Sequence, residues 1–277
     1  MPLRSFPPVR ACLFDMDGLL LDTEDKYTLC TNAILAKYNR PLLPWSIKAK
    51  LQGRPAVTAS EIFHNFAQLP ISRQEYAQEL IEMQKQLFPT SQPLNGVEKL
   101  LDDLDSARTK GAPGEGRKVH IALATSSHEE TFKLKTGHLE ELFSVFPKHR
   151  RVLGDDVRIK PGRGKPFPDI YLLALDLINS SLEEGEPKVK PEECLVFEDS
   201  VPGVESGRRA GMRVVWVPHP ELFVEYQDRE PEVLAGLTGE GGDVDLHQVG
   251  KIGDEWAVRL ETLEAFPYEE YGIVVKS

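Results

Sequence analysis

Cysteine is scarce: three residues in 277, Cys12, Cys30 and Cys194, an odd number with no close pairing. That leaves no disulfide framework to hold a fold, and two of the three sit in apolar runs that read as strands, so they are expected as buried reduced thiols. No apolar stretch approaches the roughly 20 residues that a bilayer span requires, and residues 1–10 lack the hydrophobic region of a signal peptide. The expected setting is the cytoplasm, with no membrane partner. Positive charge is also short. The 33 Lys and Arg against 44 Asp and Glu give a formal charge of −11, which repels polyphosphate backbones and speaks against nucleic-acid binding. A small phosphate ester remains open, because charges beyond a Debye length of about 8 Å are screened and a local cation decides. The histidines, His64, His120, His128, His138, His149, His219 and His247, show no metal-ligand spacing, and no glycine-rich nucleotide loop follows a strand.

What is present is an alternation of apolar runs. Hydrophobic residues at 40% and charged residues at 28% are those of an ordinary soluble globular protein, and 277 residues suit a core domain with a smaller attachment. Ala11-Cys12-Leu13-Phe14 reads as a first buried strand. A helical block follows from Thr23 to about Phe88, in which residues 61–69 and 75–87 carry apolar side chains at helical spacing. Pro89, Pro93 and Gly96 punctuate its end. β-rich runs then fall at 119–124, 194–197 and 214–217, between helical runs at 97–108, 169–179 and 201–210. This alternation predicts a parallel sheet covered by helices on both faces. Residues 109–118, rich in glycine and charge, are expected as a loop, and the acidic stretch 224–255 as a surface insertion. The tail regains apolar character and is expected to close the core with a helix at 260–265. There is no internal repeat.

Each of three predicted strands ends in polar residues: Asp15-Met16-Asp17 before Gly18, Thr125-Ser126-Ser127, and Glu198-Asp199-Ser200. Parallel strands point the same way, so these ends can share one crevice, the place where open α/β sheets bind ligands. Two carboxylates at the end of a buried strand are costly unless a cation offsets them. The second acidic pair adds hard oxygen ligands suited to magnesium, which takes a substrate phosphate into its shell. A calcium loop would need oxygen ligands where Leu19 and Leu20 stand. Helix capping uses one aspartate and leaves Glu198-Asp199 unexplained, although that pair taken alone also fits a solvated or capping role. The fixed cation is expected from Gly164-Lys165-Pro166-Phe167-Pro168-Asp169, where the prolines stiffen the backbone beside Lys165. Lys160, also next to a proline, is its rival. Thr125 and Ser126 can offer hydroxyl and backbone hydrogen bonds to phosphate oxygens at a helix N-terminus, and N-capping of that helix is compatible with the same role. Asp155 and Asp156 are expected in a turn rather than at a metal.

In this order and at these separations the clusters resemble the haloacid dehalogenase superfamily of phosphotransferases, in the subgroup whose helical cap is inserted just after the first strand. The resemblance runs from about residue 10 to 217 and is carried by residues 14–24, 122–127, 152–156, 164–170 and 195–199. It implies an α/β, Rossmann-like parallel-sheet core over residues 1–18 and 93–277, with a smaller all-helical cap over 19–92. It also implies Asp15 as the nucleophile of an aspartyl-phosphate intermediate and Asp17 as acid and then base, with Thr125, Ser126 and Lys165 on the phosphate. Mg2+ is implied at Asp15, the backbone carbonyl of Asp17 and Asp199, with Glu198 direct or through water. In the cap, Glu24 at the mouth and the loop Gly53-Arg54 are the candidates for reading the substrate. The implied activity is magnesium-dependent hydrolysis of a small phosphorylated metabolite by a monomer. The rivals are a sugar- or polyol-phosphate phosphatase, a β-phosphoglucomutase-like enzyme, and a non-catalytic binding protein on the same fold, which loss of Asp15, Asp17 or Lys165 would have favoured.

Overall fold

Runs in which every residue is apolar become strands buried on both faces, since only a covered sheet can use them. The computed structural model describes residues 6–52, 56–111, 116–238 and 250–276. Its strands are β1 (Ala11–Phe14), β2 (Arg108–Thr109), β3 (His120–Ala124), β4 (Arg151–Val152), β5 (Cys194–Glu198), β6 (Arg213–Trp216), β7 (Ala257–Arg259) and β8 (Ile273–Val274). Six of them form one parallel sheet in the order β4-β3-β1-β5-β6-β7. The strand carrying Asp15 at its exit is thus central, and Phe14 pairs with Leu123 on one side and Phe197 on the other. That register brings the residues after Phe14, Ala124 and Phe197 to one edge.

Alternate residues serve alternate faces. Cys12, Phe14, Leu195 and Phe197 join one apolar core, and Leu13, Val196, Ala122 and Trp216 join the other. The chain leaves β1 into α1 (Thr23–Lys37), α2 (Trp45–Lys48), α3 (Ala56–Ala67) and α4 (Arg73–Leu87), the last opened by a capping box between Ser72 and Glu75. Ile34, Leu35, Phe63, Ala67 and Tyr76 make a third cluster of their own, separate from the two under the sheet. The remaining helices are α5 (Val97–Asp105), α6 (Glu129–Thr136), α7 (Glu140–Phe143), α8 (Asp169–Ser180), α9 (Val201–Arg209), α10 (Pro220–Tyr226) and α11 (Glu230–Ala235). Helices α5, α6 and α7 cover one face, and α8 to α11 cover the other. All three cysteines are buried and free. No helix among the described residues is long and apolar enough to cross a membrane.

Three expectations are corrected. No helix forms over 260–265; the chain turns there, with Leu263 and Phe266 still buried. The backbone there is committed otherwise, with the Leu260 N–H given to the Trp216 carbonyl at 2.9 Å and Ala265 at φ 51°, and Gly96, at φ 84°, opens α5 directly beneath Leu263 and Glu264, where any side chain would collide. The stretch 224–255 is not a surface insertion throughout, because α10 and α11 bury Tyr226, Val233 and Ala235 and α11 packs on α9; residues 239–249, His247 included, lie outside the described residues. Helix α5 ends at Asp105 rather than at residue 108, because Arg108 and Thr109 pair antiparallel with β8 and Arg108 also bridges to Lys118.

Candidate active site

Strand β1 ends at Phe14, and the next residue, Asp15, is still tied to the sheet by its N–H to the Phe197 carbonyl at 3.1 Å. The chain then reverses through Gly18, at φ 82°, where a side chain would run into the Asp199 carboxylate. Strand β5 delivers Glu198 and Asp199, and Ser200 caps α9 by accepting from the Gly203 N–H at 3.2 Å. The loop before α8 supplies Lys165. Asp15, Glu198 and Asp199 are all buried, and one carboxylate oxygen from each lies within 4.8 Å of the others. Lys165, 2% exposed, donates to Asp15 and reaches Glu198 Oε1 at 2.5 Å. Tyr171, one turn into α8, also donates to Glu198 Oε1, while Ser200 donates to Oε2 from its hydroxyl at 3.1 Å and its N–H at 3.3 Å. Both oxygens of Glu198 are engaged, so it is the anchor that fixes Lys165.

Among the described residues three buried carboxylates face one ammonium, and the protonation of Asp15 and Asp199 registers the excess. Asp15 is pushed up to about 7, first by burial and then by Glu198 and Asp17, against the pull of Lys165. Asp199 is pushed well above the ordinary carboxylate range by burial, Asp15, Glu198 and Glu24. Hard oxygen donors carrying uncompensated negative charge are the donor set a small divalent cation takes.

Asp17 stands in a different environment. Its carboxylate is outside that acidic cluster. Oδ1 accepts from the Thr23 hydroxyl and from Lys135, each at 2.6 Å, and Oδ2 accepts from the Ser127 hydroxyl at 2.6 Å. Burial raises its pKa, but Lys135, Ser127 and Thr23 outweigh that, so Asp17 lies below its ordinary value as an anion. The alternation of an extended segment puts residues 15 and 17 on one side; partners from two other elements then draw their carboxylates into separate company.

Of the phosphate-binding candidates, Thr125 is fully buried and its hydroxyl accepts from the Ser127 N–H at 3.1 Å, while Ser126 is exposed just ahead of α6. Asp155 sits in the expected turn and accepts from Glu129 N at 3.2 Å, capping the same helix. Lys160, the rival cation, is exposed. Glu24 reaches Lys48 at 3.3 Å, and Lys48 also donates to the Glu24 carbonyl at 2.9 Å and covers the Trp45 ring at 4.2 Å. Gly53 and Arg54 lie outside the described residues. Their neighbour Gln52 reaches the cluster, with Nε2 3.4 Å from Asp199 Oδ2 and a buried Oε1 that has no partner. Sequence reasoning placed Ser127 at the crevice without a role and missed Lys135, Tyr171, Lys48 and Gln52. For Lys135 the only signal was its place three residues after Phe132 on the buried side of α6.

A family model described as haloacid dehalogenase-like hydrolase matches residues 9–211. A probable pseudouridine-5'-phosphatase of Saccharomyces cerevisiae is 44% identical over 233 residues, covering 84% of this chain and 91% of its own. The mitochondrial (DL)-glycerol-3-phosphatase 1 of Arabidopsis thaliana is 39% identical over 227 residues, covering 81% of this chain and 69% of its own. Among solved structures, a HAD hydrolase of family IA, variant 3, from Entamoeba histolytica shares the fold with a TM-score of 0.58 at 22% identity, covering 80% of this chain and 90% of that one.

Proposed function

This chain belongs to the haloacid dehalogenase-like hydrolases, and from that premise we propose that it is a magnesium-dependent phosphatase of small phosphate monoesters, with pseudouridine 5'-phosphate as the leading substrate. The observation that carries the reading is the buried excess of carboxylate at the strand ends, Asp15, Glu198 and Asp199 beside Lys165 among the described residues. Asp15, Asp199 and the backbone carbonyl of Asp17 would hold the magnesium ion, with Glu198 direct or through water. When bound, the ion supplies neutralisation of the phosphate charge that otherwise repels Asp15.

Lys165 pins Asp15 Oδ1 and leaves the other oxygen to attack phosphorus in line, forming an aspartyl phosphate as the ester P–O bond breaks. Lys165, the Thr125 hydroxyl and the Ser126 N–H receive the phosphoryl oxygens. Asp17, an anion in the free site, takes up a proton as the phosphate charge arrives beside it, gives that proton to the departing alkoxide and becomes the anion again. It then takes a proton from the water that attacks the acyl phosphate, which releases phosphate and restores both carboxyl groups. The contacts from Lys135, Ser127 and Thr23 favour the anionic form that the second half needs.

Residues 19–92 act as the cap that excludes water, with Glu24 and the Gly53-Arg54 loop reading the leaving group. The partner is a small phosphorylated metabolite, handled by a monomer in the cytoplasm. A second reading, glycerol 3-phosphate as substrate, is supported by the Arabidopsis relative. Release of inorganic phosphate with and without Mg2+ tests both, ranked by kcat/KM over pseudouridine 5'-phosphate, uridine 5'-phosphate, glycerol 3-phosphate and β-glucose 1-phosphate. The expected ranking has pseudouridine 5'-phosphate first and no turnover in chelator. Glycerol 3-phosphate first selects the second reading, isomer formation without phosphate release selects a mutase, and hydrolysis indifferent to metal overturns the mechanism.

A further inference from the structure

One charged group beside the site meets no substrate atom in the steps above. Lys135 is 0% exposed, and an ammonium that deep is tolerated only if its donors are met. All three are: Asp17 Oδ1 at 2.6 Å, Ser127 Oγ at 2.7 Å and Tyr27 OH at 2.9 Å. The rings of Tyr27 and Phe88, with centroids at 4.6 and 4.7 Å, cover the charge. Its contacts come from the turn after β1, the loop after β3 and the helical block, so the ammonium is fixed from three sides. Asp17 is fixed in turn. Oδ1 holds two hydrogen bonds, from Lys135 and Thr23, whereas Oδ2 holds one, from Ser127, whose hydroxyl itself accepts from Lys135.

We propose that Lys135 is a positioning residue for Asp17, saturating Oδ1 and orienting Ser127 so that Oδ2 is the oxygen that exchanges protons with the leaving group and with water. This rests on the acid and base role given to Asp17 above. Lys135 touches no reacting atom; it acts through the carboxylate it holds. A lysine serving only the fold has a different signature, because its loss then harms every substrate alike and does so whether or not Asp17 is present.

Lys135→Met and Asp17→Asn, singly and combined, are assayed with Mg2+ on an alkyl ester, glycerol 3-phosphate or pseudouridine 5'-phosphate, and on 4-nitrophenyl phosphate, whose phenolate departs without a proton. Thermal unfolding of each variant is followed alongside. Lys135→Met is expected to lower kcat/KM about 100-fold on the alkyl ester and less than about fivefold on the aryl ester, with no further loss in the Asp17→Asn background. Should the methionine variant not fold, Lys135→Gln, which keeps N–H donors, goes through the same cycle. Equal losses on both esters, or a loss that persists in Asp17→Asn, overturn the role of Lys135 while leaving the phosphatase reading standing. Full alkyl-ester activity in Asp17→Asn overturns both the acid assignment and this inference.

Discussion

The two edges of the sheet both bury charge, and they balance it differently. At the edge where the strands begin, Arg10, 4% exposed, donates to Glu186 at 3.1 Å and to the carbonyls of Lys188 and Pro187 at 3.1 and 2.8 Å, and lies 3.6 Å from Glu193. His120 adds a 2.8 Å contact to Glu186 and faces Arg150 at 3.2 Å. Arg10 and Arg150 stand with Glu186 and Glu193, and Arg213, 4% exposed at the start of β6, is met by the Pro7 carbonyl at 2.7 Å and by the Phe6 and Tyr271 rings, so among the described residues each buried cation there has protein partners, with one nitrogen of Arg10 and of Arg213 left over. At the edge where the strands end, Lys165 faces Asp15 and Glu198, and among the described residues the near donor to the Asp199 carboxylate is the amide of Gln52. A closed network of buried charge holds a fold, whereas an open one of a single sign is a binding site waiting for its complement.

The sharpest way to break that contrast is Asp15→Asn, which is expected to lower kcat by at least about 10³-fold while leaving the circular dichroism spectrum unchanged, as befits loss of a nucleophile. Next comes a matched pair. Lys165→Met is expected to cost roughly 10²- to 10³-fold in kcat by removing the fixed cation. Arg10→Met, at the opposite edge, is expected to destabilise by about 1–3 kcal/mol in denaturant melts, because it leaves the Lys188 and Pro187 carbonyls without their donor, yet to keep kcat within about threefold.

The electrostatics give a third expectation. The carboxyl of Asp15 rises from an ordinary 3.8 to about 7 on folding without metal. Between those values the folded chain holds the proton more tightly than the unfolded chain, so the raised group favours the fold at low pH and this help is lost as pH rises through 7. In chelator, wild-type stability is therefore expected to fall from pH 5 to pH 8 by on the order of 2 kcal/mol more than that of Asp15→Asn, and added Mg2+ to reverse the difference. Thermal melts across that pH range check it. The smallest effect belongs to His120→Gln, expected to cost about 1 kcal/mol of stability through its contact with Glu186 and nothing in kcat.

The sheet was legible wherever burial on both faces made whole runs apolar, as at β1, β3, β5 and β6. The two-residue β4 and the edge strand β7 were not, since each depends on a neighbour already in place. The tail misled for a similar reason: Leu260 and Leu263 have helical spacing, but the Leu260 N–H is taken by Trp216, and Gly96, 167 residues before Leu263, packs against the backbone that follows. At the site, Asp15, Lys165, Glu198 and Asp199 stood out because charged residues directly after buried strands or between prolines are conspicuous. Lys135 and Tyr171 did not, because a lysine or tyrosine in an amphipathic helix looks the same whether it meets solvent or a buried carboxylate. The separate fates of Asp15 and Asp17 were equally hidden, being set by Lys165 on one side and by Lys135 and Ser127 on the other.

Acid quench during turnover of a small phosphate ester with Mg2+, followed by borohydride reduction and peptide mass mapping, reads most directly whether the open acidic edge takes up the phosphoryl group. The expected result is modification at residue 15 alone, absent in chelator and absent in Asp15→Asn. Modification at any other residue, or sustained turnover by Asp15→Asn, would contradict it.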